Sequence, residues 1–172
     1  MLPPENVTRL TQPDTPSTAP ATARTGGEPV RVVLDTNIVL DWLVFADPSA
    51  SALGAEITSG SLTWLTTPRM HTELRAVLAR PLSTRWDHAR ELALTIDLSR
   101  LAIVCAEPAP TGPSLVCRDG SDQVFIDLAR EHGPAVLLTR DRALLALRRR
   151  AAAFGVVIAT AAAWRLPLKA AT

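Results

Sequence analysis

The sequence predicts an α/β fold with a mainly parallel central sheet that is covered on both faces. Short runs rich in Val, Ile and Leu alternate with segments whose apolar residues recur at helical spacing. The runs are nearly continuous in apolar residues, which is typical of parallel strands buried on both faces. No segment repeats with a period of about 20–50 residues, so the pattern does not indicate a repeat architecture.

The composition predicts one domain in a reducing compartment. The chain has 172 residues, 47% of them hydrophobic, and domains commonly have about 100–200 residues. Its two cysteines, Cys105 and Cys117, form neither a disulfide framework nor a zinc-binding spacing. No apolar run approaches the length of about 18–20 residues needed to cross a membrane, and the N-terminus lacks the apolar stretch of a secretory signal. We therefore expect a cytoplasmic protein with no membrane partner.

The composition changes sharply near residue 30, which indicates a boundary. Residues 1–29 are rich in Pro, Thr and Ala and have almost no large apolar side chains. Such a segment cannot offset the entropy cost of ordering by burial. We expect a disordered N-terminal extension over 1–29 and the folded domain over 30–168.

Strands and helices are expected to alternate within that domain. Val30–Leu34 is the first strand, and Thr36 or Asn37 is expected to cap the helix that follows. Pro68 suits the first turn of a helix that ends near Leu78. The other predicted strands are 61–66, 103–105, 135–139 and 156–160. The other predicted helices are 51–59, 86–101, 122–132 and 142–153, with a helical turn at 161–166.

Glycine and proline mark where several of these segments end. Gly60 and Gly155 follow predicted helices, where a left-handed backbone conformation commonly closes the last turn. Pro81 and the pair at 133–134 also interrupt helical patterns. These breaks set the expected boundaries of the elements.

Four acidic residues have surroundings that are unusual for a surface carboxylate. Asp35 directly follows the first buried strand, and Asp141 follows the strand that ends in Thr139. Glu73 borders the apolar stripe of its helix, because residues three and four positions apart share a helix face. Asp122 opens the helix DQVFIDLA. Helix capping, or an interaction with the helix dipole, is the structural alternative for each of them.

These acids are expected to meet at one edge of the sheet. Open α/β sheets bind ligands at the carboxyl ends of their strands. Carboxylates gathered in one cleft repel one another, so a cation between them is expected. With no His or Cys cluster, the oxygen ligands favour Mg²⁺ or Mn²⁺, which can activate water and stabilise charge on a phosphoryl group. The formal net charge of +1 does not by itself indicate nucleic acid.

The four motifs LDTNIVL, TELRAVL, RDGSDQVFIDLA and LLTRDRALL, in this order, resemble the PIN domain family. More narrowly, they resemble its branch of toxins from type II toxin–antitoxin systems. The resemblance spans about residues 31–164. It implies a three-layer α/β/α sandwich and an endonuclease that hydrolyses phosphodiester bonds of single-stranded RNA with Mg²⁺ or Mn²⁺. A cognate antitoxin and a homodimer are the partners that it implies.

The same resemblance assigns roles to individual residues. The catalytic and metal-binding positions fall on four acids: Asp35, Glu73, Asp122 and Asp141. Asn37 and Thr139 match polar residues that support those carboxylates, and Asp119 lies where this branch often has an extra acid.

The sequence departs from the family pattern at the last motif. The usual T-G-D is here Thr139-Arg140-Asp141. An arginine at this position can contact a phosphate or pair with a nearby acid. With Arg142 and the run at 148–150, it forms a local basic region. For that region, a solvated helix end and a phosphate contact are both open.

Two alternatives come from other functional classes. A non-catalytic interaction module can keep the PIN fold, although an intact set of four acids argues against it. A phosphate-receiver or phosphatase domain also gathers Asp residues at strand ends. Such a domain needs a D-x-D motif or a pairing lysine after a later strand, and here the only lysine is Lys169, near the end of the chain.

Overall fold

The computed structural model describes residues 29–81, 83–110, 115–133 and 135–164. All but the last residue of the expected N-terminal extension, and the final positions of the expected domain, 165–168, lie outside these ranges. Both of those expectations therefore remain predictions.

The described residues form a five-stranded sheet. Its strands are β1 (Val30–Leu34), β2 (Leu62–Thr66), β3 (Ala102–Val104), β4 (Ala135–Leu138) and β5 (Val156–Ala159). All neighbouring strands are parallel, in the order β3-β2-β1-β4-β5. From β1 the chain proceeds outward to β2 and β3, then returns to the other side of β1 to form β4. This reversal creates a topological switch point between β1 and β4.

Helices cover both faces of this sheet. They are α1 (Thr36–Leu43), α2 (Pro48–Thr58), α3 (Pro68–Leu78), α4 (Asp87–Thr95), α5 (Gln123–Glu131), α6 (Arg142–Ala146) and α7 (Arg148–Ala152). Alternate residues of β1 separate two cores. Val32 and Leu34 pack in a core with α1 and α2, whereas Val33 packs in a core with α5, α6 and α7. The predicted three-layer α/β/α sandwich with a parallel sheet is confirmed.

The helix starts differ from prediction at α1 and α2. Thr36 and Asn37 lie inside α1, and Asp35 occupies the N-cap position. The second helix begins at Pro48 rather than at Ser51, because Asp47 accepts hydrogen bonds from the amides of the two residues after Pro48 at 2.9 and 3.0 Å. An Asp cap followed by proline in the first turn is a strong helix start.

The predicted helix over 86–101 is wrong in its extent. It is divided into α4, preceded by a 3₁₀ turn at Thr84–Trp86, and a second 3₁₀ turn at Leu98–Arg100. Asp97 accepts hydrogen bonds from the amide and hydroxyl of Ser99, and such local side-chain bonds compete with helical ones. Leu92, one of the apolar residues of this segment, is 54% exposed.

The predicted helix over 142–153 is also divided, into α6 and α7. The amide of Leu147 bonds the carbonyl of Leu144 at 3.0 Å, an i−3 contact that tightens the turn between them. Leu147 is buried there. Gly60 and Gly155 have positive φ angles of 72° and 74°, as expected for glycines that follow helices.

Within the described ranges, no single helix is long and apolar enough to cross a membrane. As a pair bent by 91°, α1 and α2 meet the same requirement by length and composition.

Candidate active site

Asp35 lies at the switch point between β1 and β4. Its amide donates to the carbonyl of Leu138 at 3.0 Å, which extends the pairing of the two strands by one residue. The residue is 5% exposed, and its Oδ2 accepts hydrogen bonds from Asn37 Nδ2 at 2.6 Å and from Thr139 Oγ1 at 2.5 Å. The side chain makes no capping bond to α1. Two side-chain donors therefore hold this carboxylate, in addition to the effect of the Asn37 backbone on its pKa.

Opposing effects act on the pKa of Asp35. Burial raises it above its usual value, because a low-dielectric environment disfavours the charged form. The hydrogen bonds from Thr139 and Asn37 lower it in part, and the charge of Asp141 raises it further. The net direction is upward, so an ionised Asp35 is held at an energetic cost.

Thr139 and Asn37 connect Asp35 to the segment that follows β4. Thr139 Oγ1 accepts a hydrogen bond from the amide of Asp141 at 2.9 Å while it donates to Asp35. Asn37 Oδ1 accepts from the amide of Arg140 at 3.3 Å. Both predicted supporting residues therefore contact Asp35 directly and also hold the backbone next to Asp141.

Asp141 occupies the N-cap position of α6. Its Oδ1 accepts hydrogen bonds from the amides of Ala143 at 2.7 Å and Leu144 at 3.1 Å. Capping, the structural alternative for this residue, is therefore observed. The same carboxylate also acts electrostatically on Asp35 and on Asp122.

Asp122 is the predicted acid on which the charges of the other predicted acids act. It precedes α5 but makes no side-chain cap bond. Its pKa is raised from 3.8 to about 6, first by burial and then by the charges of four acids: Asp35, Asp119, Asp141 and Glu73. Asp35, Glu73 and Asp141 therefore lie near enough to Asp122 for their charges to act on it.

Glu73 reaches the site from α3. Its Oε1 accepts a hydrogen bond from the hydroxyl of Thr36 at 3.3 Å, and Thr36 directly follows Asp35. Asp119 is more peripheral. It is exposed, and its carboxylate accepts hydrogen bonds from the amide and hydroxyl of Ser121 at 2.9 and 2.7 Å. Its charge acts on the site by raising the pKa of Asp122.

The donor chemistry of this site fits a hard divalent cation. Its carboxylates repel one another, as the raised pKa of Asp122 shows, and a cation relieves that repulsion. In the part of the chain that the structure describes, no three His, Cys, Asp or Glu side chains are close enough to hold one ion together. A metal ion bound here would therefore take one or two of these carboxylates and complete its coordination with waters, as Mg²⁺ commonly does.

Sequence reasoning missed the role of Asp41. This α1 residue is buried, and its Oδ1 pairs with Arg140 Nη1 at 3.1 Å. The sequence left two roles open for Arg140, a phosphate contact and an ion pair with a nearby acid, and the structure shows the ion pair. Asp41 lies four residues after Asn37, so both face the segment at 139–141. That spacing is the sequence feature by which Asp41 could have been found.

Gln123 was also missed. Its Nε2 donates to the carbonyl of Leu115 at 3.0 Å and to Asp127 Oδ1 at 2.8 Å, and its Oε1 accepts from the amide of Cys117 at 2.7 Å. The amide group thereby fixes the segment at 115–117 against α5. Only the position of Gln123, directly after a predicted site acid, could have indicated this.

The fold and its acids define an open, parallel α/β protein with an acidic cleft at the topological switch point. The chain matches the family model for the PIN domain over residues 31–143. It belongs to the PIN domain family, whose members are generally nucleases.

A solved structure shares the fold. The chain is similar to a chain in the crystal structure of VapBC2 from Rickettsia felis bound to a DNA fragment from their promoter. The TM-score is 0.54 and the sequences are 14% identical, with 76% of this chain and 98% of that chain covered. At this identity, the likeness concerns the fold alone. No curated protein matches the chain.

Proposed function

We propose that this protein is an Mg²⁺- or Mn²⁺-dependent endoribonuclease that hydrolyses phosphodiester bonds of single-stranded RNA. The observation that carries the proposal is the acidic cleft itself: Asp35 is buried at the switch point and held by Asn37 and Thr139. The charges of Asp35, Asp119, Asp141 and Glu73 add to the effect of burial on the pKa of Asp122. Carboxylates from separate elements whose charges act on one another are costly unless they hold a cation. Membership of the PIN domain family supports phosphodiester hydrolysis as the use of that cation.

Each residue has a defined part in this proposal. Asp35, Glu73, Asp122 and Asp141 would bind divalent metal, with one or two carboxylates and several waters on each ion, and that metal would activate a water and neutralise charge on the phosphoryl group. Asn37 and Thr139 orient Asp35 through the hydrogen bonds described above. Asp119 adds negative charge at the rim of the cleft, next to Asp122.

The second part of the proposal concerns the biological role of the protein. We propose that the protein acts in the cytoplasm as the toxin of a toxin–antitoxin pair, with a cognate antitoxin and a second copy of itself as partners. The order of the four motifs supports the toxin branch, and the fold shared with VapBC2 agrees with it. Family membership sets aside the phosphate-receiver or phosphatase alternative, and a non-catalytic PIN module remains as the competing function.

The test is RNA cleavage by the purified full chain. Single-stranded RNA is incubated with Mn²⁺, with and without EDTA, using the wild type, Asp35→Asn and Glu73→Gln. Glu91→Gln on α4 is a matched control, because its carboxylate is exposed and outside the site. We expect cleavage only by the wild type and the control, and only with metal. Equal cleavage by Asp35→Asn contradicts the proposal, and Mn²⁺ binding without cleavage favours the non-catalytic module.

A further inference from the structure

A cleft of about 740 Å³ opens beside Asp141. It lies between the segment at 116–118 and α6, and its walls include Arg118, Arg142, Val116 and Leu147. Small-ligand sites commonly have volumes of about 300–1,000 Å³, so one nucleotide fits this space. Because Asp141 forms part of the wall, the cleft is continuous with the candidate active site.

Two arginines give the cleft its charge. Arg118 and Arg142 are both exposed, and neither side chain has an ion-pair or hydrogen-bond partner within the described ranges. Arg140 differs, since its guanidinium is paired with Asp41. The cleft therefore presents two cations with unused donors next to one acid of the site, Asp141. A guanidinium group is well suited to phosphate oxygens.

The cleft also has an apolar wall, which Val116 provides. This side chain is 54% exposed although it is large and hydrophobic, and it lines the same cleft as the two arginines. Leu147 is buried and forms part of the apolar lining. An exposed apolar side chain beside unpaired cations suits a ligand that has both an anionic group and a flat, weakly polar one.

We propose that this cleft binds one nucleotide of a single-stranded RNA substrate, next to the nucleotide whose phosphodiester bond is cleaved. The phosphate contacts Arg118 and Arg142, and the base packs against Val116. This inference rests on the proposed function, because it assumes that an RNA strand passes Asp141. It adds the residues that hold the strand, which the overall charge of +1 did not indicate.

Binding without cleavage tests this inference. The affinity of the full chain for a short fluorescein-labelled single-stranded RNA is measured by fluorescence anisotropy in EDTA, over a series of salt concentrations. The cleft variant is Arg118→Ala with Arg142→Ala. The matched control is Arg80→Ala with Arg100→Ala, which removes the same charge where α3 ends and before β3 begins, away from the carboxyl edge of the sheet.

The cleft variant is expected to bind about tenfold more weakly at low salt, with a salt slope lower by about 0.7, since each phosphate neutralised on a single strand contributes about 0.7. The control is expected to retain the affinity and slope of the wild type. Val116→Ser is expected to weaken binding of the RNA but not of an abasic strand of equal length. Unchanged binding by the cleft variant, or an equal loss in the control, overturns the inference.

Cleavage with Mn²⁺ is measured on the same samples, so the two proposals fail separately. If the wild type cleaves RNA while the cleft variant binds like the wild type, the cleft inference is wrong and the proposed function stands. If the wild type does not cleave but the cleft variant loses affinity, the proposed function is wrong and the nucleotide-binding cleft stands.

Discussion

The hydroxyl of Thr139 donates a hydrogen bond to the carboxylate of Asp35, although the two residues are 104 positions apart in the chain. The bond joins the ends of β4 and β1, the two strands that flank the switch point. Thr139 also accepts the amide of Asp141 at 2.9 Å. One buried side chain therefore sets the positions of two of the proposed metal-binding acids.

Thr139→Val is expected to reduce RNA cleavage by roughly 10–100-fold, as is typical when a partner of a metal ligand is removed. The methyl group fills the space of the hydroxyl, but Asp35 loses one of its two side-chain donors. Thr139→Ser keeps the donor and is expected to stay within a few-fold of wild type. The measurement is the cleavage rate at saturating RNA, alongside the melting temperature. Equal rates for the Val and Ser variants contradict this role.

The pKa of Asp122 gives a prediction for the metal-free protein. It is raised to about 6 because burial and neighbouring acids disfavour the charged form. Asp35→Asn removes one of those charges and is expected to lower the pKa of Asp122 toward 3.8. The carboxyl carbon resonance of Asp122, followed by NMR across pH in EDTA, measures the change. A pKa that does not move shows that Asp35 and Asp122 do not share a cleft.

The same shift makes stability depend on pH. A group whose pKa is higher in the folded than in the unfolded state binds protons more tightly when folded. Asp122 therefore stabilises the fold at low pH, and this contribution is lost as pH rises from 3.8 through about 6. Urea unfolding in EDTA should show a steeper loss of stability over this range in the wild type than in Asp122→Asn. Parallel pH profiles contradict the prediction.

The ion pair between Arg140 and Asp41 predicts energetic coupling. The Asp41 side chain is only 12% exposed, whereas that of Arg140 is 55% exposed, so the coupling is modest. We expect about 0.5–1 kcal/mol in a double-mutant cycle of Arg140→Gly and Asp41→Asn, measured by urea unfolding. Of the two single changes, Arg140→Gly is expected to lower the free energy of unfolding more than Asp41→Asn, because it leaves the poorly solvated carboxylate of Asp41 without its cation. Strictly additive effects contradict the coupling.

Gly54 on α2 predicts a packing effect away from the site. A Cβ atom at this position would overlap the indole ring of Trp42, which packs edge-to-face on Trp64 with ring centroids 6.0 Å apart. Gly54→Ala is expected to destabilise the fold by about 1–3 kcal/mol. Gly120→Ala is the matched control, because a Cβ atom there meets no other atom within 4 Å. Similar melting temperatures for the two variants contradict the predicted overlap.

Much of the fold could be predicted from the sequence because local pattern and tertiary structure agree. Val30–Leu34 has β-branched and apolar residues at every position but one, and it is a strand in the structure. Asp35 directly follows this strand, at the carboxyl end where open α/β sheets bind ligands. Its position could therefore be predicted from the local sequence. The boundary at α4 could not be predicted, since the apolar pattern continues through Ile96 while the side chain of Asp97 begins a separate turn.

The parts of the site that escaped prediction depend on strand order. The pairing of Arg140 with Asp41 requires β4 to lie beside β1, which no local pattern determines. The cleft beside Asp141 likewise needs the segment at 116–118 to face α6. The role of Asp141 was also difficult to predict, because helix capping and a place in the site were both possible from the sequence. In the structure Asp141 caps α6 and also borders the cleft.

The central claim is that these carboxylates form a divalent-metal site. Electron paramagnetic resonance of Mn²⁺ titrated into the full chain at neutral pH tests it most directly, with Asp35→Asn as the variant and Glu91→Gln as the control. The account predicts that Mn²⁺ binds to the wild type and to the control, and that Asp35→Asn loses this binding. Equal Mn²⁺ binding by the wild type and Asp35→Asn, or no binding by either, would contradict it.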